Sequence, residues 1–517
     1  MKLYYAKEVR EADRVAIEEM NIPSLALMEN AARAIARALS QSVPDLLLGR
    51  VAVCCGKGNN GGDGMAVARL LKGAGYAPEV LLLAEPTQLS PDARVQYERL
   101  SGCGLICRIL SREQDMASFR ETLSGADLVI DALLGTGLSG PVRGMWREAI
   151  AAINASGAFV TAVDIPSGLC GDALAPDGPA VRADLSFTLA LPKPILYTPE
   201  GSACCGEVQV LDIGIPAGVT SCLPFAGEAV DATWARPFFK ERPPLAHKGD
   251  LGRILLVAGS VGKSGAAVLA ARGALRAGAG LMTVACPTSA QPAVDASLPE
   301  AMTLALPETK EGTLSMDGLM PLLRACEAAD AVGMGPGLGQ VHETAALCRE
   351  LFKIAPLPAV VDADGLNAFA SQAASLSTHA GPRILTPHPG EMARLVESTA
   401  GGVIVGRFDL LPSKAAEWDA VVLLKGYRTL VAAPGAPWRM NLSGGPHMAG
   451  PGFGDVLTGM VAALLGRGLA PADAAALAAW WHGAAADEAQ RRLGGYGLLA
   501  SECADALPAV EGQLRLP

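Results

Sequence analysis

Polar residues follow several predicted strands in the first half of the chain, at positions where a ligand could bind. Asp131 and Asp164 each end an apolar run, in LVIDALLGTG and FVTAVDIPSG, and Asn60 lies in the glycine-rich segment CGKGNNGGDG. The carboxyl ends of parallel strands meet at one edge of an α/β sheet, where such sheets bind ligands. Asn60, Asp131 and Ser167 offer hard oxygen ligands, which suit an alkali or alkaline-earth cation better than zinc.

The glycines of CGKGNNGGDG have the G-x-G-x-x-G spacing of loops that bind a pyrophosphate through backbone N–H groups. Asp63 argues against a phosphate here, because a carboxylate at the start of a helix repels it unless a cation intervenes. Asn59, Asn60 and Asp63 suit a ribose, an amide or a metal better, and an acidic turn without a ligand is the alternative. A second loop, residues 135–141, offers backbone amides for a phosphate.

The second half carries a glycine-rich loop that opens an apolar helix, GPGFGDVLTG, with Asp455 near its end. Backbone N–H groups of such a loop bind anions, and the carboxylate is placed to accept the proton of a hydroxyl that is being phosphorylated. His388 stands between two prolines in TPHPGE, which indicates a fixed loop. GSVGKSG narrowly misses the phosphate-binding loop pattern, because Val257 stands where that pattern requires glycine.

Short apolar runs separated by helical stretches must position these residues. Such runs recur through both halves and predict mostly parallel sheets covered by helices, hence an α/β fold. The 517 residues exceed the roughly 250–300 residues at which one hydrophobic core stops growing. Periodicity is lost around residues 215–245, so we expect domains 1–225 and 226–517.

Composition and charge exclude several classes of protein. A net charge of −10 argues against a general nucleic-acid binder, which needs clustered basic residues. No uncharged apolar run reaches the roughly 18–20 residues of a membrane helix, and the acidic N-terminal segment is unlike a targeting peptide. We therefore expect a cytoplasmic protein that binds neither nucleic acid nor membrane. The 12 cysteines lack the paired spacing of zinc sites, and we interpret them as small buried hydrophobes.

The ordered motifs GNNGGDG, DALLGTGLSG and VDIPSGL resemble the NAD(P)H-hydrate epimerase family over roughly residues 1–220. The resemblance implies a Rossmann-like three-layer domain that interconverts the R and S forms of NADH or NADPH hydrated at C6 of the nicotinamide ring. It implies K⁺ bound by Asn60, Asp131 and Ser167, and Asp164 as the catalytic acid/base, because epimerisation needs a carboxyl group that moves a proton. The expected substrate-binding residues are Asn59, Asn60, Gly61, Gly62, Asp63, Gly135, Thr136, Gly137, Leu138, Ser139, Gly140, Pro141 and Asp164.

The motifs HKGDLGR, GMGPGLGQ, VDADGLN, TPHPGE and LKGYRT resemble the ADP-dependent NAD(P)H-hydrate dehydratase family over about residues 230–510. The resemblance implies a ribokinase-like α/β domain that uses ADP and Mg²⁺. Phosphoryl transfer from ADP to the C6 hydroxyl would ease its elimination and leave AMP and phosphate. The implied nucleotide-binding residues are Lys425, Gly426, Tyr427, Arg428, Thr429 and Gly454. The residues implied to face the hydrate are Ala267, Gly335, Gly337, Gly339, His388 and Asp455, with Asp455 as the catalytic base.

The anion-binding loop departs from the family pattern at Pro451 and Phe453, where small residues are usual. Proline lacks an N–H donor and phenylalanine adds bulk, so we expect an altered nucleotide affinity or donor preference. The leading hypothesis is a bifunctional enzyme, expected to be a homo-oligomer, that repairs hydrated nicotinamide cofactors. The alternative is a ribokinase-type kinase for a small alcohol, fused to a non-catalytic binding or dimerisation module.

Overall fold

The computed structural model describes residues 1–105 and 107–515. The chain forms two compact units, residues 2–227 and residues 228–517. The division lies close to the boundary expected near residue 225, and residues 516–517 of the expected second domain lie outside the described residues. None of the helices in the described residues combines the length and the apolar character needed to cross a bilayer.

The sheet of the first unit has the strand order β4-β3-β2-β5-β6-β7-β8, and all neighbouring strands are parallel. A two-residue strand precedes it in the chain. The strands are β1 (Lys2–Leu3), β2 (Val51–Cys55), β3 (Glu79–Leu82), β4 (Cys107–Ile109), β5 (Leu128–Ala132), β6 (Phe159–Val163), β7 (Leu185–Leu189) and β8 (Glu207–Leu211). The helices are α1 (Ala6–Arg14), α2 (Ser24–Ser42), α3 (Asn59–Gly73), α4 (Pro91–Gly102), α5 (Met116–Ser124), α6 (Met145–Asn154), α7 (Pro199–Ser202) and α8 (Ala217–Ser221).

Helices cover both faces of this sheet, as the predicted three-layer architecture requires. Successive residues of a strand point to opposite faces. In β2, Val53 belongs to the apolar cluster that contains α2 and α3, whereas Cys54 belongs to the cluster that contains α5 and α6. Strands buried on both faces explain why the continuous apolar run VAVCC, rather than an alternating pattern, marks β2.

The sheet of the second unit has the strand order β9-β18-β17-β16-β15-β14-β13-β10-β11-β12. Strands from β16 to β12 in this order are parallel, and β17 runs antiparallel to both of its neighbours. These strands are β9 (Gly227–Val230), β10 (Arg253–Val257), β11 (Leu281–Pro287), β12 (Met302–Leu306), β13 (Ala331–Met334), β14 (Ala359–Val361), β15 (Arg383–Leu385), β16 (Val421–Leu424), β17 (Leu430–Ala432) and β18 (Trp438–Asn441). The helices are α9 (Ala232–Ala235), α10 (Ser264–Arg276), α11 (Gln291–Ser297), α12 (Leu319–Cys326), α13 (His342–Ile354), α14 (Ala363–Asn367), α15 (Pro389–Leu395), α16 (Ala400–Trp418), α17 (Phe453–Gly466), α18 (Pro471–Leu493) and α19 (Ala500–Arg515).

Helices α10 and α17 approach each other closely in the core of the second unit, and two glycines permit the contact. A Cβ atom at Gly459 of α17 would lie 1.8 Å from the carbonyl oxygen of Ala270 in α10. A Cβ atom at Gly273 of α10 would lie 2.4 Å from the carbonyl oxygen of Val456 in α17. The close approach anchors the helix whose first turn carries Asp455.

The predicted α/β class is confirmed in both units, but the sequence did not indicate β4, β9, β12 and β18. Of these, β4 and β12 are edge strands, and most of their residues are partly or fully exposed, so they lack a continuous apolar run. The interpretation of all cysteines as buried hydrophobes is also too broad, because Cys103 and Cys222 are exposed.

Two candidate active sites

A cavity of about 690 Å³ lies at the carboxyl edge of the first sheet. Residues that follow β2, β5, β6, β7 and β8 line it, which is the arrangement expected when parallel strands end at one edge. The predicted residues among its lining are Asn59, Asn60, Asp63, Gly135, Thr136, Gly137, Leu138, Ser139 and Asp164. Lys193 and Asp13 also line the cavity, although the sequence analysis did not select them.

Asp164 follows β6 directly, with a left-handed φ of +66° that is unusual for a residue other than glycine. Its Oδ1 accepts hydrogen bonds from Lys193 Nζ at 2.6 Å and from the backbone N of Leu189 at 3.1 Å. Thr188 Oγ1 is 3.5 Å from the same oxygen. All hydrogen bonds that the described residues make to this carboxylate go to Oδ1, so Oδ2 is left for a ligand.

Two further carboxyl groups reach the same cavity. Burial raises the pKa of Asp63 well above its ordinary value, and the neighbouring charges of Asp164 and Asp13 raise it further. Burial raises the pKa of Asp13 to about 6, an effect that Lys193 opposes and Asp164 reinforces. The cavity can therefore hold a protonated carboxyl beside an ionised one, which is the pairing that acid–base exchange needs.

The candidate cation ligands meet around residues 133–135. Asp131 is fully buried and accepts hydrogen bonds from Ser167 Oγ at 2.6 Å, Ser167 N at 2.8 Å and Leu133 N at 3.2 Å. Burial raises the pKa of Asp131 to about 6, although the hydrogen bonds from Ser167 and Leu133 oppose the shift. Gly135 packs against Asn60, whose buried amide has no hydrogen-bond partner among the described residues. Buried polar atoms are normally paired, so the amide of Asn60 is available to bind a ligand.

Gly61, Gly62, Gly140 and Pro141 are outside the lining of the first cavity. Gly61 and Gly62 serve close packing instead. A Cβ atom at Gly61 would lie 1.9 Å from the carbonyl oxygen of Gly56, and one at Gly62 would meet the side chain of Met28. Asp131 and Ser167 lie behind the cavity wall with no exposed surface.

A second cavity, of about 860 Å³, lies at the start of α17 in the second unit. The predicted residues that line it are His388, Lys425, Gly426, Tyr427, Arg428, Thr429, Gly454 and Asp455. Ala267, Gly335, Gly337 and Gly339 are outside its lining. Ala267 lies on α10 and is fully buried, and the three glycines form a positive-φ turn after β13.

Asp455 lies in the first turn of α17, beside an ion pair of Lys425 and Asp362. Burial raises the pKa of Asp455 to about 7, reinforced by the charge of Asp362 and opposed by Lys425. Lys425 Nζ donates to Asp362 Oδ1 and lies 3.8 Å from Glu391. Burial lowers the pKa of Lys425, but the carboxylates outweigh burial and the net shift is upward. A charged lysine beside a helix N-terminus attracts a phosphate group.

Asp362 also lines the second cavity, although the sequence analysis did not select it. It ends β14, is only 1% exposed, and accepts a hydrogen bond from Thr458 Oγ1 at 2.7 Å in addition to Lys425. The signal was present, because Asp362 ends the apolar run PAVVD just as Asp131 and Asp164 end theirs. The partners of Asp362 lie on other elements and could not be read from that run.

His388 caps the helix α15. Its Nδ1 accepts a hydrogen bond from the backbone N of Gly390 at 3.0 Å, and its own backbone N donates to Glu391 Oε2 at 2.8 Å. Because Nδ1 is an acceptor, the neutral ring carries its proton on Nε2. The prolines on either side and this cap together fix the ring at the cavity.

Pro451 and Phe453 do not obstruct the first turn of α17. Pro451 lies in an exposed turn before the helix, and Gly452 is the N-cap residue, so proline removes none of the helical N–H donors. Phe453 is 5% exposed and packs against His482, with the ring centroids 5.8 Å apart. Phe453 also lines the second cavity, so the expected change in nucleotide affinity or donor preference stays a prediction.

Comparison with known proteins gives matches for both halves of the chain. Residues 24–195 match the family described as YjeF-related protein N-terminus, and residues 254–509 match the NAD(P)H-hydrate dehydratase family. A bifunctional NAD(P)H-hydrate repair enzyme from Moorella thermoacetica is 42% identical, over 99% of this chain and 96% of the relative. The enzyme of that name from Escherichia coli is 34% identical, over 98% and 93%.

Among solved structures, an ADP/ATP-dependent NAD(P)H-hydrate dehydratase from Bacillus subtilis, co-crystallised with ATP and Mg²⁺, is 30% identical. The match covers 56% of this chain and 99% of that one, with a TM-score of 0.48. The relatives from Moorella thermoacetica and Escherichia coli carry the same name, and each is aligned with both halves of this chain. The chain belongs to the family of bifunctional NAD(P)H-hydrate repair enzymes.

Proposed function

We propose that the first unit epimerises the hydrates of NADH and NADPH, and that the second unit dehydrates the S form with ADP as phosphoryl donor. The observation that carries this proposal is a cavity in each unit that contains one of the expected catalytic carboxyl groups, Asp164 or Asp455. The two activities complement each other, because damaged cofactor arises as both epimers whereas the dehydratase family accepts one.

In the first cavity, Asp164 exchanges the proton of the C6 hydroxyl through Oδ2, the oxygen that accepts no hydrogen bond from the described residues. If the hydroxyl leaves, its oxygen needs a proton before the C–O bond breaks. If the ring opens, the hydroxyl must lose its proton as the C6–N1 bond breaks. Asp164 serves either route, with Asp63 and Asp13 as nearby groups that can hold a proton.

K⁺ is the cation that we propose for Asn60, Asp131 and Ser167. The unpartnered amide of Asn60 and the buried carboxylate of Asp131, which has no ion-pair partner among the described residues, fit a monovalent cation with hard oxygen ligands. When bound, the cation would supply positive charge next to the loop of residues 135–139. The transfer of the C6 hydroxyl proton remains the role of Asp164, with Asp63 and Asp13 nearby.

In the second cavity, Asp455 accepts the proton of the C6 hydroxyl while the hydroxyl oxygen attacks the β-phosphorus of ADP. The bond between that phosphorus and the bridging oxygen breaks, and AMP leaves. The new phosphate ester then breaks at its C6–O bond, phosphate departs, and loss of a proton from C5 restores the ring double bond. The first turn of α17 and Lys425 stabilise the charge on the transferring group.

Mg²⁺ would enter this cavity with the nucleotide. The described residues contain no cluster of three or more His, Cys, Asp or Glu side chains suited to a metal. Magnesium commonly binds through substrate phosphates and retains several waters, so the phosphates of the nucleotide would hold it. The ion would supply charge neutralisation at the phosphates.

The near-ultraviolet absorbance of the reduced nicotinamide ring reports the complete reaction. Purified protein is added to mixed R and S hydrates of NADH, with Mg²⁺ and either ADP or ATP. We expect absorbance to recover beyond the S fraction, faster than spontaneous epimerisation, in the presence of ADP. Recovery that stops at the S fraction would contradict an epimerase, and no recovery with either nucleotide would favour the kinase alternative.

A further inference from the structure

A lysine with no exposed surface lies at the base of the first cavity. Lys193 is 0% exposed, and its Nζ donates to Asp164 Oδ1 at 2.6 Å, Leu189 O at 3.0 Å and Thr188 Oγ1 at 3.1 Å. These three contacts use all three protons of the ammonium group. The mechanism above assigns this residue no role.

Burying an ammonium group is costly unless a carboxylate pairs with it. An apolar side chain would fill the same space without that cost, so packing alone does not explain a lysine here. Asp164 supplies the negative charge that pairs with this ammonium group, because its carboxylate lies within hydrogen-bond distance of Lys193 Nζ.

The other carboxyl groups of the cavity have no such partner. Asp63 on α3 is 8% exposed and makes no side-chain hydrogen bond or ion pair among the described residues, and Asp13 on α1 makes none either. Asp92 on α4 also lines the cavity. Asp164 therefore differs from the other three carboxyl groups, because it alone among them forms an ion pair with Lys193.

The contact also fixes the direction of the Asp164 carboxylate. Lys193 and the backbone N of Leu189 both hold Oδ1, and the backbone at Asp164 has the left-handed φ of +66°. Strained backbone of this kind persists where the surroundings over-determine it, and it is frequent at active sites. Oδ2 is thereby turned away from the protein contacts.

We propose that Lys193 is the positioning residue of the epimerase site, which pairs its ammonium group with Oδ1 of Asp164 and thereby presents Oδ2 to the C6 hydroxyl. The proton of the acid–base pair then resides on Asp63 or Asp13, the carboxyl groups without a cationic hydrogen-bond partner. Lys193 acts through Asp164 and does not touch the reacting atoms. The proposal rests on the proposed epimerase function of this cavity.

The test is the pH dependence of epimerisation kcat/KM in full-length protein, with purified R hydrate as substrate. In Lys193→Met the ionised form of Asp164 loses its partner. We therefore expect a loss of about 100-fold near neutral pH, together with an acid limb displaced upward by about one to three pH units. Lys193→Arg keeps the charge, so its acid limb should remain in place even where the rate falls. An equal loss at every pH, or an unshifted limb in Lys193→Met, would overturn the proposal.

Three controls separate this role from a structural one. The first control is Lys57→Met. Lys57 is an exposed lysine at the same cavity and makes no ion pair among the described residues, so the acid limb of this variant should not move. Dehydration of the S hydrate by the same preparations reports whether the second unit is intact. If Lys193→Met does not fold, Lys193→Ala with added ethylammonium should recover activity at neutral pH, and absence of recovery would overturn the proposal. Failure of the wild-type protein to epimerise would instead contradict the proposed function.

Discussion

Asp164 and Asp455, the two expected catalytic carboxyl groups, lie in opposite electrostatic surroundings. Asp164 forms an ion pair with a buried lysine at 2.6 Å. Asp455 has a lysine nearby, but Lys425 makes its hydrogen bond to Asp362. A negative neighbour therefore remains beside Asp455, and its pKa is raised to about 7. The two aspartates thus differ in their direct partner, which is a lysine for Asp164 but not for Asp455.

Replacing Asp164 by asparagine keeps the shape of the side chain and removes the group that exchanges a proton. We expect Asp164→Asn to slow epimerisation by roughly 100-fold or more, the usual size of an acid–base contribution. With mixed hydrates, absorbance recovery should then stop at the S fraction. Asp45→Asn, at an exposed aspartate outside the cavity lining, is the matched control and should reach full recovery. Undiminished epimerisation in Asp164→Asn would contradict the assignment.

Asp455→Asn removes the proposed base of the second site. We expect dehydration to fall by about 100-fold or more, because the C6 hydroxyl loses its proton acceptor. Binding of ADP should persist, since Lys425 and the first turn of α17 remain. Turnover of the S hydrate and the ADP-dependent shift in Tm measure the two effects. Turnover equal to that of the wild type would rule out this base.

The raised pKa of Asp455 also predicts a pH profile for dehydration. A general base works in its ionised form, and burial places the pKa of this carboxyl at about 7. The kcat/KM for the S hydrate should therefore fall as the pH decreases through about 7 and level off above it. A profile that is flat down to pH values near the ordinary aspartate pKa of about 4 would contradict the assignment.

At the scale of elements, both sites depend on a strand that ends where a helix begins. The start of α3, which follows β2, places Asn59, Asn60 and Asp63 at the first cavity, and His388, between β15 and α15, lines the second. Continuous apolar runs predicted most of the buried strands, because burial on both faces requires such runs, although β9 and β18 were missed. Edge strands such as β4 were missed, because partial exposure removes that pattern.

Two glycines at the start of α3, Gly58 and Gly61, allow a stability prediction with a control in the same motif. In Gly61→Ala the new Cβ would lie 1.9 Å from the carbonyl oxygen of Gly56, whereas nothing lies within 4 Å of a Cβ at Gly58. We expect Gly61→Ala to destabilise the first unit by roughly 1–3 kcal/mol through overpacking and to impair epimerisation. Gly58→Ala, at an ordinary negative φ, should be tolerated. Thermal unfolding and epimerisation rates of both variants check this, and equal behaviour would contradict it.

At the scale of the whole molecule, the chain combines two units that each contain a cavity and complementary chemistry. Belonging to a family of bifunctional enzymes accounts for both halves, and the kinase alternative accounts for neither epimerase-type motifs nor the full-length relatives. Homo-oligomer formation stays a prediction, which light scattering of the purified protein would test.

Separate sites predict separate ion requirements. Replacing K⁺ by a larger organic cation such as tetramethylammonium should slow epimerisation, because the buried oxygens of Asn60 and Asp131 cannot enclose it. Dehydration, proposed to depend on Mg²⁺, should continue at an unchanged rate. Initial rates with R hydrate and with S hydrate measure the two activities side by side. Equal loss of both would contradict a cation site confined to the first unit.

The sequence by itself determined the α/β class, the family and the local motifs, because strand-end aspartates and glycine-rich turns are encoded within a few neighbouring residues. Tertiary structure alone decided which charges meet. Lys193 lies 29 positions from Asp164, and Lys425 lies 63 positions from Asp362, and each pair is joined only when separate elements end at the same edge of a sheet. Proton affinity depends on burial and on neighbouring charge, and neither exists before the chain folds.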